Sequence, residues 1–520
     1  MATSISVKRL SPEGSNGLNL LLNGAIKIGP KIARNRTFVK MAMGLAENWF
    51  IKSNKERHQV DTVTAPGVID DETAMSLAIL NSFNVMLTER KLSKATFQKA
   101  SEILARDLFV LKSKLEEKSV NFRAQFGFDI PSFILVSPTK ACNLRCTGCY
   151  ADADDNVRAL DWDTVDRIAT ESRELWGSQF FAISGGEPLA YRSQGRTILD
   201  LAEKHPDTYF MFYTNGTLIS DEVAKRMADL GNIIPMVSLE GWKEKTDTRR
   251  GNGVFDKVMQ AFDRLHDAGV IYGASLTATR WNAEEILSDD FMDFLFKEKR
   301  ISICWIFQYM PIGRAYTLDL MVTPRQRLWM WNQAWKLVRE KRYFVADFWN
   351  HGTAVDGCLS AGGHGRGGYL YIEWNGNVTP CVFVPYSPVN VKDVYARGGN
   401  LNDIFCEPFF ADLRRWQIQI KAETGGKNLL NPCPMRDHNS DLRQLIRKHE
   451  ADPIDLNSVN AIQDQNFAEG MDRYDAAYQQ IVDKVWQSVY IKNEALKADD
   501  LESLVVPENK EEVSQPANHT

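Results

Sequence analysis

Three cysteines stand together in Cys142-Asn-Leu-Arg-Cys146-Thr-Gly-Cys149. In a chain with 8 cysteines among 520 residues, chance produces that spacing about 0.002 times. The pattern therefore calls for a chemical reason. Thiolates so close along a loop hold metal. Zinc sites take four protein ligands, commonly in pairs two residues apart. Here three residues fill the first gap and two the second, and no fourth Cys or His adjoins. Three thiolates suit a 4Fe–4S cluster that keeps one iron open for another molecule. No cysteine precedes Cys142.

Ser184-Gly185-Gly186-Glu187-Pro188 begins about 35 residues after Cys149. Paired glycines let a backbone approach a ligand closely, and Glu187 offers an acceptor for an ammonium group. Alone, such a turn is ordinary; one strand–helix unit after the cysteine loop, it is specific. Thr214-Asn215-Gly216-Thr217, Ser238-Leu239-Glu240-Gly241 and Thr277-Ala278-Thr279-Arg280 each follow an apolar run. Ser238 and Glu240 suit ribose hydroxyls, and Arg249 or Arg250 can fork onto a carboxylate. Strand-end capping or a surface ion pair is the alternative for each of them.

Downstream, Cys358 and Cys381 flank Gly376, and Cys433 sits in Asn431-Pro-Cys-Pro-Met. Tyr371 to Cys381 reads as a hairpin turning at Asn375-Gly376. Cys406 lies in the amphipathic Asp403-Ile-Phe-Cys-Glu-Pro-Phe-Phe and is either a metal ligand or a core residue. Cys304 alternates within a strand and reads as core. Asp347, near His351, is a candidate general base that takes a proton from a substrate radical; a buried polar turn is the alternative. Gln308, Tyr309 and Arg314 follow the last strand as candidate pocket residues, and Tyr309 could relay an electron or hydrogen atom. His438 reads as structural.

These motifs need a scaffold. Apolar runs at Phe133–Pro138, Phe180–Ser184, Tyr209–Tyr213, Ile233–Leu239, Ile271–Thr277 and Ile303–Tyr309 alternate with helix-length stretches, among them Asp161–Trp176, Asp221–Leu230, Phe255–Ala268 and Glu284–Lys297. Such alternation means βαβ units and a parallel sheet. Six units make a partial barrel, with ligands at the carboxyl ends of strands. Residues 1–128 read as helical, with Ser93 a candidate cap. Ile26 to Phe50 is basic and apolar, either a solvated helix or a segment for peripheral membrane contact. No Asp-x-His-x-x-Gly cobalamin pattern and no P-loop appears.

Lys and Arg total 62 against 67 Asp and Glu, a net charge of −5. That argues against a nucleic-acid partner. With 44% hydrophobic residues the chain is neither disordered nor a disulfide miniprotein. No run reaches the length of a membrane span and no signal peptide is evident. A cytoplasmic location with reduced thiols is expected.

Over Phe133 to Met310, the cysteine loop, the Gly-Gly-Glu-Pro turn and the six units resemble the radical S-adenosylmethionine (SAM) enzymes. The resemblance implies an α/β partial (βα)6 TIM-like barrel with a helical N-terminal region and a small irregular cysteine-bearing C-terminal domain. It implies a 4Fe–4S cluster on Cys142, Cys146 and Cys149 whose open iron chelates SAM. One-electron cleavage then gives a 5′-deoxyadenosyl radical that abstracts hydrogen from a substrate. SAM would sit against Gly185, Gly186, Glu187 and Asn215, its ribose near Ser238 and Glu240, and its carboxylate near Thr277, Thr279 or Arg249. Many members carry an aromatic just before the third cysteine to touch adenine; here that residue is Gly148, and Tyr150 follows.

The segment after the barrel resembles the auxiliary-cluster extension called SPASM, or its shorter twitch version. This implies one auxiliary 4Fe–4S cluster on Cys358, Cys381 and Cys433, with Cys406 a fourth candidate. The expected division is 1–128 helical, 129–341 barrel, 342–450 auxiliary domain and 451–520 helical extension with a disordered tail. A flavodoxin or ferredoxin reductase is the expected partner, with a peptide, lipid or small metabolite as substrate. The competing reading is a non-catalytic iron–sulfur electron-transfer or assembly protein.

Overall fold

Short apolar runs separated by helix-length segments fold as repeated strand–helix units. The computed structural model describes residues 36–109, 112–156, 158–362, 367–423 and 428–494. The basic apolar stretch before residue 36 and the polar tail lie outside them.

Four helices come first: α1 (Arg36–Val60), α2 (Pro66–Glu89), α3 (Lys94–Phe109) and α4 (Lys112–Phe126). Ser93 caps α3, its Oγ accepting from Thr96 N at 3.0 Å. Asp71 of α2 is fully buried and takes bonds from Arg339, Thr353 and Tyr490, which ties the helical region to distant parts of the chain.

Strands β1 (Phe133–Val136), β2 (Phe180–Ile183), β3 (Tyr209–Thr214), β4 (Ile233–Leu239), β5 (Gly273–Ala278) and β6 (Cys304–Gln308) pair in chain order, all parallel. Between and after them run α5 (Trp162–Trp176), α6 (Ile198–Lys204), α7 (Asp221–Leu230), α8 (Lys243–Arg250), α9 (Val254–Ala268) and α10 (Pro324–Glu340). The caps are local. Asp161 accepts from Thr164 N at 2.8 Å to start α5, and Gly177, at φ 72°, ends it. The expected single helix over Glu284–Lys297 is instead three short pieces. Ser288 caps a new start there, accepting from Phe291 N.

The sheet extends past six strands. β7 (Val345–Asp347) runs parallel beside β6, and β8 (Tyr369–Ile372) parallel beside β1. β9 (Asn377–Thr379) returns antiparallel to β8, and β10 (Val389–Asn390) pairs with β9. The order is β10-β9-β8-β1-β2-β3-β4-β5-β6-β7, so β7 and β8 end up on opposite sides and the sheet is not a closed barrel. The hairpin turns at Gly376 (φ 98°), as the Asn-Gly pair predicts.

Strand alternation divides the side chains into two sets. Ile134, Val136, Phe181, Ile183, Phe210 and Phe212 are fully buried in the main core. Their neighbours Leu135, Ala182 and Met211, in register across β1, β2 and β3, turn the other way and line a cavity. After the barrel come α11 (Pro408–Glu423), α12 (Asn439–Lys448) and α13 (Gln465–Val485).

Candidate active site

The cysteine loop leaves β1 at its carboxyl end and is held by backbone bonds, Lys140 N to Arg158 O at 2.9 Å and Cys142 N to Asp154 O at 2.7 Å. Cys142, Cys146 and Cys149 all line one cavity of about 250 Å³. Two arginines hold the loop, Arg314 from outside the cavity and Arg249 from its wall. Arg314 donates its backbone N–H to Cys149 O at 2.9 Å, and its guanidinium donates to Cys146 O at 2.6 Å and to Ala153 O. Arg249 Nε reaches Thr147 O at 3.2 Å. Arg314 thus braces the loop and does not line the cavity. Its role is legible only after folding, because its partners lie over 160 residues away. Burial, with Glu187 and the neighbouring thiols adding to it, pushes the Cys142 thiol up to about 12. Metal uptake there must displace protons.

The paired glycines do something other than expected. A Cβ on Gly186 would lie 2.2 Å from Ala141 O, and one on Gly185 (φ 103°) would lie 2.5 Å from Ser137 Cβ. What they let close is the chain's own strand-to-loop segment, not only a ligand. Gly186 N donates to Thr139 O at 2.9 Å and Glu187 N to Ala141 O at 2.8 Å, so the turn sets the position of the cysteine loop. Both glycines also line the cavity.

Glu187 lies at the cavity wall, 1% exposed. Its Oε1 accepts from Thr214 Oγ1 at 2.7 Å and Leu189 N at 3.1 Å, and Oε2 from Asn215 N at 2.8 Å. A carboxylate has about four acceptor directions, which leaves one for a ligand ammonium. Asn215 lines the cavity too, and its Nδ2 lies 3.8 Å from Cys142 Sγ and 2.9 Å from Asn143 Oδ1.

Ser238, Thr277, Arg249 and Arg250 reach the cavity, but Glu240 stands behind its wall, fully buried. Glu240 Oε1 pairs with Arg249 at 2.6 Å and Arg250 at 2.5 Å. Its Oε2 is buried without a partner. Burial lowers Arg250's hold on its proton, but Glu240 and the thiols of Cys146 and Cys149 reverse that and raise it. Thr279 caps a turn through Asn282 Oδ1 at 2.9 Å and is not in the wall.

Tyr150 bridges the two motifs. Its hydroxyl hydrogen-bonds Ser184 Oγ and accepts from Gly185 N at 3.1 Å, while its ring faces the cavity. Tyr309 explains Gly148: a Cβ there would lie 2.6 Å from the Tyr309 ring, so no aromatic fits at 148. The Tyr309 hydroxyl donates to Ala315 O at 2.6 Å, and Tyr309 lines the cavity as a pocket residue. Asp347 is a correction. It is buried outside the cavity wall, and its oxygens accept from Trp349 N, Asn350 N, Asn350 Nδ2 and Gln308 Nε2. It organises a turn and is not presented to the cavity as a base.

Cys358, Cys381 and Cys433 line a second, smaller cavity of about 30 Å³. Cys433 is pinned by Asp437, which accepts from Cys433 N at 3.1 Å and forms a fully buried ion pair with Arg327 of α10. Burial first, then Asp437 and Cys358, push the Cys433 thiol up to about 12. Cys406 does not join them. It is exposed at the end of a short helix, Leu401–Phe405, and faces Arg414, Asp403 and Glu407. Its expected place among the ligands is therefore corrected. Tyr369, which sequence reasoning missed, lines the first cavity while its hydroxyl hydrogen-bonds Cys381 Sγ at 2.9 Å. Only the β1–β8 pairing, a non-local contact, brings it there.

Residues 136–288, from the end of β1 to the turn after β5, match the Radical SAM superfamily. The chain carries a radical SAM domain. Among curated relatives, the Fe-coproporphyrin III synthase of Methanosarcina barkeri is 28% identical over 251 residues, 48% of this chain and 60% of that protein. The chain thus spans less than two thirds of that relative. The mycofactocin maturase MftC of Mycolicibacterium smegmatis is 28% identical over 302 residues, 56% of this chain and 74% of that protein. Among solved structures, Streptococcus suis SuiB bound to precursor peptide SuiA superposes with a TM-score of 0.46 at 16% identity, covering 61% of this chain and 72% of that one.

The radical SAM domain takes a 4Fe–4S cluster and S-adenosylmethionine, and the residues present fit them. Among the described residues no group of three or more His, Cys, Asp or Glu surrounds a single-ion site. Glu187's spare acceptor direction, the wall hydroxyls of Ser238 and Thr277, and Arg249 and Arg250 supply polar partners beside those thiols.

Proposed function

We propose that the chain is a radical SAM enzyme that activates a C–H bond of a substrate held in the larger cavity. The observation that carries the reading is the meeting, on one cavity, of three loop thiols, the Gly-Gly-Glu turn and polar strand ends. When bound, the cluster and SAM supply a 5′-deoxyadenosyl radical through one-electron cleavage. The chain's own residues do the rest. Cys142, Cys146 and Cys149 ligate the cluster. Glu187 and the backbone of Gly185 and Gly186 hold the ammonium end of SAM, and Asn215 orients Cys142. Ser238 faces the ribose. Thr277 and Arg249 or Arg250 face the carboxylate. The Tyr150 ring closes the wall beside the cofactor. Residues from β1, β2, β3 and β6 exclude water from the substrate end, which protects a reactive radical. Cys358, Cys381 and Cys433 hold one auxiliary 4Fe–4S cluster, supported by their shared cavity. A flavodoxin or ferredoxin supplies the electron.

The test is anaerobic reconstitution with iron and sulfide, followed by iron analysis and 5′-deoxyadenosine formation from SAM plus dithionite. About eight irons per chain are expected, four for each cluster, with deoxyadenosine produced. Cys142→Ala should remove deoxyadenosine and about four irons. Deoxyadenosine at the wild-type rate in that variant would refute the site. Full iron without any cleavage would return the chain to an electron-transfer role.

A further inference from the structure

The cavity runs well beyond the cofactor end. Its wall includes Phe133, Phe180 and Trp305, at or near the first residues of their strands, as well as Ser184 and Gln308 at the opposite ends. On β2 alone, Phe180 to Ser184 spans about 13 Å. The interior of a strand barrel is normally filled by side-chain layers; here it is hollow along the strands and faced by rings. Phe307 packs 5.5 Å from Tyr213, 5.6 Å from Phe348 and 5.9 Å from Phe383. The charged side chains in the wall are Glu187, Arg249 and Arg250, all at the cofactor end, and both arginines are paired to Glu240.

This lining rejects two substrate classes. A tetrapyrrole carrying several carboxylates finds no unpaired cation in the inner half. A peptide backbone drawn inside would bury more amides than the few polar wall groups there, Ser275, Gln308 and the Trp305 indole N–H, can pair, at a cost of about 1–3 kcal/mol for each left over. A hydrocarbon chain brings no polar group of its own to bury, and it leaves the Trp305 indole N–H, which has no partner among the described residues, as it stands.

A second observation lies at the other end of the molecule. α1 buries Val39, Met43 and Ala46 against Leu80, Met86 and Leu87 of α2. Met41, Leu45 and Trp49, at four-residue steps on another face, are 50%, 40% and 40% exposed. Of the basic residues of the helix, Arg57 is paired to Glu72 and Asp61 and Lys52 to Glu56, while Lys40 and Lys55 are exposed and can meet an anionic surface. Ile234 packs against this helix cluster and also against Met211, Met236 and Ile303 beside the inner end of the cavity.

We infer that the substrate is the hydrocarbon chain of a lipid, taken from an anionic bilayer on which α1 lies. The inference rests on the radical SAM reading for its chemistry but not for its binding. The chain enters lengthwise among Phe180, Met211 and Trp305 and presents a C–H to the cofactor end, while the headgroup stays outside.

The full-length protein is mixed with phosphatidylglycerol–phosphatidylcholine vesicles whose acyl chains carry bromine, and flotation and tryptophan quenching are read. Wild type is expected to float and to lose fluorescence. The variant M41S/L45S/W49S, changed only at exposed positions, should float about tenfold less. In Trp49→Phe, the remaining quenching should fall further when Trp305→Phe is added. Ala182→Phe, which fills the cavity, should keep flotation but lose the Trp305 share. No flotation of wild type, or quenching unchanged by Trp305→Phe, overturns the inference. Deoxyadenosine formed by a protein that does not float leaves the radical SAM reading standing and removes the lipid. Bromine reaching Trp305 in a protein that never cleaves SAM does the reverse.

Discussion

Replacing Gly186 by alanine tests whether the glycine turn positions the cysteine loop. The added Cβ would stand 2.2 Å from Ala141 O, 2.7 Å from Ala141 C and 2.8 Å from Lys140 C. These are backbone atoms, so no side-chain rotation relieves the clash. Restoring an ordinary contact of about 3.0 Å requires a shift of about 0.8 Å. The same shift stretches Gly186 N to Thr139 O (2.9 Å) and Glu187 N to Ala141 O (2.8 Å) past the hydrogen-bond range. Two lost bonds cost about 1 kcal/mol each and residual strain about 1–3 kcal/mol, a total of about 3–5 kcal/mol. The cost falls on the segment that presents Cys142. Reconstituted Gly186→Ala should therefore lose about four irons and its deoxyadenosine, and keep the irons of the Cys358–Cys433 site. Gly44→Ala is the control: it lies within α1, nothing stands within 4 Å of its added Cβ, and it should stabilise the helix by up to about 1 kcal/mol with iron unchanged. Full iron and an unchanged melting temperature in Gly186→Ala would refute the reasoning.

Cys406→Ser should leave iron content and absorbance unchanged, whereas Cys381→Ser should lose about four irons while retaining Cys142-dependent deoxyadenosine; metal analysis of the two variants decides it. His351 provides a pH prediction. Burial, with Arg339 assisting, holds its imidazole down to about 3 from 6.5, and Nδ1 accepts from Asp347 N at 3.2 Å, which requires the neutral ring. The unfolded chain binds this proton below pH 6.5 and the folded chain only near 3. The associated stability is thus fully present above 6.5 and is lost as pH falls toward 3. His351→Phe should flatten the acid limb of a denaturation-against-pH curve; an unchanged limb would refute it.

The strands were legible because buried parallel strands are short apolar runs, and Phe180–Ser184 or Ile233–Leu239 read as nothing else. The cysteine loop and glycine turn were legible because their chemistry is local. What escaped was non-local. β8 pairs with β1 across more than 230 residues, and neither sequence advertises the other. For Asp347 the local part, a polar turn through Trp349 and Asn350, was legible as the alternative reading; the remote donor Gln308 and the burial that take it out of the cavity wall were not. Cys406 resembled a ligand by residue type, but the helix Leu401–Phe405 turns it to solvent. The second role of the Gly-Gly pair, closeness to the chain itself, is invisible without Ala141 in place.

The pairing of β8 with β1 also bears on how the chain can be divided. Phe133 to Val136 bond to Tyr369 to Ile372 on one side and to β2 on the other. Cutting the protein after the radical SAM core would strip β8 away and leave β1 as a bare rim, apolar on both faces. Such an exposed rim recruits other chains. A shortened version would therefore clump rather than work as a minimal enzyme, and the strand leading into Cys142 would keep only its ladder to β2. The two thiol sites are thus mechanically one unit in this chain, stitched along a shared strand.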